Sequence, residues 1–295
     1  MKTIRFVLFT IAALISCGYT HDSNSGSGQV ESKAKLEAVN IVVLLDLSDR
    51  IITTAGQADK DRSIIKSILD KFEERQRRQI YITSNDRLRL LVAAQPGVNV
   101  SSNDDLVIDM VELRRRKEGQ AVGKEAFDAA RKKFNSALSN LYEKALKSPH
   151  TGADIYTFFC SDYPVSIMST DPKIKNKLIV LTDGYLTFDP VHLSKRPKCS
   201  YMRNLTQLRA AKQEWESYFQ KNNLALCPCD RKFKNTEVLL LETAPLNKGA
   251  SVYEYDIVAH YWKKWFDAMA LAAQIFPHDG QVSNISNKVK TFLER

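Results

Sequence analysis

Short apolar runs alternate with longer amphipathic stretches along most of this 295-residue chain. NIVVLLD (40–46), RLRLLVAA (87–94), LVIDMVEL (106–113), KLIVLTD (177–183) and EVLLLET (237–243) have the length and apolar content of strands. After the first of them, Ile65, Ile68, Leu69 and Phe72 recur at the spacing that lines one face of a helix. Between Lys124 and Lys147, the residues Phe127, Ala130, Phe134, Ala137, Leu138, Leu141 and Ala145 make one continuous stripe, which predicts a long helix. Shorter helices are expected at about 152–161 and 205–221, and an amphipathic one at about 254–276. Val258, Tyr261, Trp262, Trp265, Phe266 and Met269 give that last helix an aromatic face that reads as core. Alternating strands and helices predict an α/β fold: a doubly wound, mainly parallel sheet flanked by helices on both faces. One domain over residues 38–295 is expected, with room for an insertion near 185–235.

The N-terminus does not belong to that pattern. MKTIRFVLFTIAALISC places Lys2 and Arg5 before an apolar run, Phe6 to Ile15, and then Ser16 and Cys17, the order of a secretory signal peptide over residues 1–16. The run is too short to span a bilayer as a permanent helix. Leu14 to Cys17 also resembles a bacterial lipobox, which implies lipidation of Cys17; an ordinary signal peptide cut nearby is the plain alternative. Up to residue 37 the chain is polar and rich in Gly and Ser, so it reads as a flexible tether. The expected location is the bacterial cell envelope, with the domain lipid-anchored and facing the periplasm or the exterior.

The formal net charge of +9 falls to +7 once Lys2 and Arg5 are removed. In DKDRSIIKSILDKFEERQRR the basic residues are mixed with acids, as on a solvated helix face, so nucleic acid is not an expected partner. RRRK at 114–117 is the one concentrated basic cluster and reads as a loop. Besides Cys17 there are cysteines at 160, 199, 227 and 229. Export permits a disulfide, and Cys199 could pair with Cys227 or Cys229. A zinc set of His192 with Cys199, Cys227 and Cys229 is disfavoured, because one residue between two cysteines is shorter than the usual zinc spacer. Cys160, in the apolar ADIYTFFC, reads as a small buried hydrophobe.

Candidate chemistry lies where strands end. Ligands bind outside the carboxyl ends of an open parallel sheet, and two strands here end in acids, at Asp46 and Asp183. Both runs are apolar at successive positions, as central strands covered on both faces must be. Neighbouring carboxylates repel each other and are costly to bury, so they call for a cation, either a metal ion or a basic side chain. Ser48, Thr182 and Thr151 would add neutral oxygen ligands, a set that suits Mg²⁺, Mn²⁺ or Ca²⁺ and not zinc.

These residues resemble the von Willebrand factor type A domain with its metal-ion-dependent adhesion site. That family has Asp-x-Ser-x-Ser after its first strand, a Thr on a later loop before a helix, and Thr-Asp-Gly after a further strand. Asp46 and Ser48 match the start of the run, LTDG at 181–184 matches the last motif, and Thr151 in PHTGADIYTFF fits the loop threonine by its place. The resemblance implies a metal at Asp46, Ser48, Thr151 and Asp183, with an acidic group of a protein partner completing the coordination. Binding, not turnover, is the implied output. Where the family has a second Ser this chain has Arg50, a fixed cation with no acceptor. Either Arg50 points outward, leaving Asp49 or water to fill the position, or it folds in and neutralises Asp46 and Asp183 in place of a metal. Thr182 and Gly184 are further candidate modulators of the site, and Tyr185, Phe188 and Lys195 candidate partner contacts.

Enzyme classes fit less well. A haloacid-dehalogenase-type phosphoryl transferase would need a second Asp two residues after Asp46, and position 48 is Ser. A Gly-x-Ser-x-Gly elbow and a phosphate-cradling Gly-rich loop are both missing from the sequence, and the five histidines, His150 among them, have no supporting motif.

Overall fold

The computed structural model describes residues 36–95, 103–115, 123–147, 152–186, 197–243, 251–278 and 281–295. Six strands form one sheet in the order β3-β2-β1-β4-β5-β6: β1 (Ala38–Leu45), β2 (Arg87–Val92), β3 (Val107–Asp109), β4 (Ile174–Leu181), β5 (Thr236–Thr243) and β6 (Ala272–Pro277). Neighbours are parallel except β2 and β3. The helices are α1 (Arg50–Thr53), α2 (Gln57–Arg78), α3 (Met110–Arg114), α4 (Lys124–Lys147), α5 (Ile155–Thr157) running on as a π-helix (Phe158–Ile167), α6 (Leu205–Ala210), α7 (Trp215–Lys221), α8 (Glu254–Ala268) and α9 (Val282–Glu294).

β1 shows why the sheet must be covered twice. Ile41, Val43 and Leu45 pack into one core with α2, α4 and α9, while Val42 and Leu44 pack into the other with the Ile155–Ile167 segment, α7 and α8. Successive side chains of a strand point to opposite faces, so an unbroken apolar run needs helices on both. This is the expected doubly wound α/β class, of the Rossmann-like kind in which the strand order reverses beside β1. Leu36–Arg295 forms one compact unit. No helix among the described residues is long and apolar enough to cross a membrane. The signal peptide, the tether and Cys17 lie outside the described residues.

Three expectations need correction. LVIDMVEL is a strand only over Val107–Asp109, because the Asp109 carboxylate accepts the Val111 and Glu112 N–H groups at 2.9 and 3.2 Å and starts α3. The helix expected to reach 276 stops at Ala268; Ala270 turns the chain at φ +53°, and residues 272–277 join β5 as β6. A further helix, α9, follows and buries Ile285, Val289, Phe292 and Leu293. Cys160 is no lone hydrophobe either. It is bonded to Cys229 with 4.9 Å between Cα atoms, and Cys199 is bonded to Cys227 with 5.2 Å. The Cys160–Cys229 bond straps the segment between β4 and β5, which carries α6 and α7, onto the π-helix, and the Cys199–Cys227 bond closes a loop within that segment. They also leave no thiolate from Cys199, Cys227 or Cys229 for zinc.

Candidate metal site at the carboxyl ends of β1 and β4

Register brings the two acid-terminated strands together. Leu45 pairs with Leu181, the Asp46 N–H donates to the Leu181 carbonyl at 2.9 Å, and the Thr182 hydroxyl donates to Asp46 Oδ2 at 2.8 Å. Asp46 Oδ1 accepts the Ser48 N–H at 3.0 Å, and Asp183 Oδ1 accepts the Tyr185 N–H at 3.1 Å. Each acid thus folds the chain after its strand into a tight local turn. Thr182 also accepts the Gly184 N–H at 3.0 Å, so its hydroxyl is engaged in holding Asp46 and the turn.

Gly184 explains the last letter of LTDG. Its φ is +88°, and a Cβ there would lie 2.8 Å from Val258 Cγ1 and 2.9 Å from Thr243 Cγ2. The close approach lets Trp262 Nε1 donate to the Gly184 carbonyl at 2.7 Å. Next along the chain, the Tyr185 hydroxyl donates to Glu254 at 2.5 Å, and Arg209 grips the same carboxylate with two bonds of 2.6 Å. The turn that carries Asp183 is anchored to α6 and α8.

Electrostatics leave this corner short of positive charge. Asp46 and Asp183 are 2% and 9% exposed. Burial first, and then the Asp46 charge, push the Asp183 carboxyl up to about 7; the Tyr185 N–H and Arg50 only partly oppose this. Arg50 turns inward and is buried, but its ion pair is with Asp61, at 2.6 Å. Its Nε donates to the backbone carbonyl of Asp46 at 2.8 Å, and Nη2 reaches the Leu181 carbonyl at 3.3 Å. Burial opposes the guanidinium charge, and Asp61, ahead of Asp46 and Asp183, raises its pKa nonetheless. Asp61 is completed by Gln57 Nε2 at 2.8 Å and the Tyr142 hydroxyl at 3.1 Å. Gln57 also approaches Glu242, which holds Lys60 at 2.6 Å and His278 at 2.9 Å.

These oxygens suit a hard cation. Asp46, Ser48 and Asp183 supply two carboxylates and a hydroxyl, and the nearby guanidinium is committed elsewhere. Among the described residues, no group of three or more His, Cys, Asp or Glu side chains could hold a metal, so hydroxyl and water oxygens would have to complete the set. Thr151 lies outside the described residues, as do His150, Phe188, His192 and Lys195. The segment just after Thr151 does reach this end of the sheet, since the Asp154 N–H donates to the Ala94 carbonyl beyond β2 at 2.7 Å. Asp49 stands at the start of α1 and makes no side-chain cap there.

Sequence reasoning missed Asp61, Gln57 and Tyr142. A signal was present: Asp61 precedes Ile64, Ile65 and Ile68 by three, four and seven residues, which puts an acid on the buried face of α2. A buried acid needs a partner; Lys60 beside it in the chain goes to Glu242, and Arg50, eleven residues before, supplies the cation.

No family model matches the chain, and no curated protein matches it. Among solved structures, it is similar to an aerotolerance-related membrane protein from Bacteroides fragilis NCTC 9343, at 9% identity over 87% of this chain and 99% of that one, with a TM-score of 0.39. It is similar to the conserved hypothetical protein BatB from Bacteroides thetaiotaomicron, at 10% identity over 88% of this chain and 100% of that one, with a TM-score of 0.40. It is also similar to the pilus adhesin SpaC from Lactobacillus rhamnosus GG, at 14% identity over 88% of this chain and 31% of that one, with a TM-score of 0.45. Likeness at this level carries no argument about activity; the fold is established by this chain's own strand order and register.

Proposed function

We propose that this chain is a binding protein of the bacterial cell envelope, anchored through lipidated Cys17, and that it uses a divalent cation at Asp46, Ser48 and Asp183 to take an acidic group from a protein partner. Mg²⁺ is the first candidate, with Mn²⁺ and Ca²⁺ as alternatives. Thr151 is included in the ligand set on the strength of the von Willebrand type A resemblance. One observation supports the reading above others: two buried carboxyl groups meet at adjacent strand ends, while Arg50 has its ion pair with Asp61. The chain's own cation attracts both acids without contacting either carboxylate, so a further positive charge would lower the energy of the corner. Binding of a partner, with no bond made or broken, is the output proposed.

Isothermal titration of the mature domain with Mg²⁺, Mn²⁺ and Ca²⁺ tests this. The parent should bind at least one of them, and Asp183→Asn should bind none. Absence of binding by the parent, or equal binding by Asp183→Asn, overturns the metal. In that event the reading that remains is a metal-free interaction domain, favoured by the inward turn of Arg50.

A further inference from the structure

The sheet is also unfinished at β6. It is the last strand beside β5, and among the described residues nothing pairs with its outer side. The Phe276 carbonyl accepts the Thr243 hydroxyl at 2.9 Å and the His278 N–H donates to the Thr243 carbonyl at 2.7 Å, so these positions face β5. Alternation along the strand then turns the backbone groups of Ala273 and Ile275 outward. Among the described residues, the Ile275 carbonyl is reached by the Tyr255 hydroxyl alone, at 3.4 Å, a contact long enough to be readily displaced.

A groove of about 600 Å³ lies along this edge, between α7, α8 and β6. Trp215, Tyr253, Phe266 and Ile275 give it apolar walls. The His260 Nε2 in its lining is buried and has no hydrogen-bond partner among the described residues. Glu216, Asp256 and Asp267 line it with three carboxylates, Lys263 lines it already paired with Asp267 at 2.8 Å, and Lys264 is close enough to act on His260. Glu216 and Asp256 are exposed, so the groove is acidic on a chain of net charge +9.

We propose that this edge and groove bind an extended segment of a partner protein, added to β6 as a seventh strand, with a Lys or Arg side chain set between apolar ones. Backbone bonding to Ala273 and Ile275 would give the affinity, and the acidic, aromatic groove would choose the side chains. Pro277 has no N–H to offer and limits the pairing frame to its N-terminal side. A second copy of this chain is a poor occupant, because its own acidic groove would face this one. The surface uses none of the residues at the ends of β1 and β4, so it stands whether or not a metal binds there.

Fluorescence anisotropy of the mature domain with labelled seven-residue peptides alternating Val or Tyr with Lys provides the test. At least one such peptide should bind saturably. N-methylation of its alternate backbone amides, or Glu in place of Lys, should weaken binding by about tenfold or more, roughly 1.4 kcal/mol. Asp256→Lys, an exposed change in the first turn of α8 whose thermal midpoint is to be measured beside its binding, should do the same at a temperature where it is fully folded; Ala273→Pro should abolish binding. Undiminished binding of the N-methylated peptide, unchanged binding by Asp256→Lys, or no saturable binding of any peptide up to about 1 mM overturns the proposal. So does a concentration-dependent dimer that Ala273→Pro abolishes, which would assign the edge to self-pairing.

Discussion

The Arg50 guanidinium makes its ion pair with Asp61, at 2.6 Å, and meets Asp46 only through the backbone carbonyl, at 2.8 Å. The residue that departs from the Asp-x-Ser-x-Ser pattern is therefore a positioning group. It ties the turn after β1 to α2, and through Asp61 and Tyr142 to α4, and it contacts neither carboxylate at the strand ends.

Removing either member of that pair leaves the other charge buried. Asp61→Asn and Arg50→Met should each destabilise the fold by about 3–5 kcal/mol, and the double variant Arg50→Met with Asp61→Leu by less than the sum. Urea unfolding of the three variants checks this. Additive losses would mean that the two side chains act independently.

Gly184→Ala forces a side chain into a left-handed position and against Val258 and Thr243. A loss of about 1–3 kcal/mol is expected, from strain and overpacking together. If the denaturation midpoint does not move, the close approach at the LTDG turn is not needed for the fold.

The disulfides should show in both mapping and stability. Non-reducing peptide mapping should recover Cys199 with Cys227 and Cys160 with Cys229. Loop closure over the 28-residue separation of the first pair corresponds to about 3–4 kcal/mol. Dithiothreitol should accordingly lower the thermal midpoint, and recovery of Cys199 with Cys229 would contradict the arrangement.

How these features were visible in the sequence differs with their physics. Asp46 and Asp183 could be read as partners because unbroken apolar runs mark central strands, and the ends of such strands form the binding edge. β6 escaped notice because AAQIFP follows an amphipathic helix with no glycine or proline before Ala270, and its strand state comes from pairing with β5. Cys160 was misread because an apolar helical run and a disulfide place the same demand on local sequence; only the fold brings Cys229 to it. Asp61 was legible from helical spacing, but which cation it would hold depended on the direction of Arg50.

Acid should weaken the anchor of the Asp183 turn. Burial alone would raise the Glu254 pKa, and the bonds from Arg209 and Tyr185 outweigh it, so the folded value lies below 4.5. A depressed folded value means that stability is fully present above the unfolded pKa and is lost as pH falls through the folded one. Urea midpoints should therefore fall more steeply below about pH 4.5 in the parent than in Glu254→Gln, which itself should be less stable near neutrality by about 1–3 kcal/mol. Parallel pH profiles would remove Glu254 from the account.

The central claim is that a cation occupies the corner between β1 and β4 while Arg50 stays with Asp61. Anomalous diffraction from crystals grown with Mn²⁺ tests it most directly. A peak bounded by oxygens of Asp46, Ser48 and Asp183 is expected, with the guanidinium still on Asp61. A clean map with Arg50 swung onto the Asp46 and Asp183 carboxylates would contradict it.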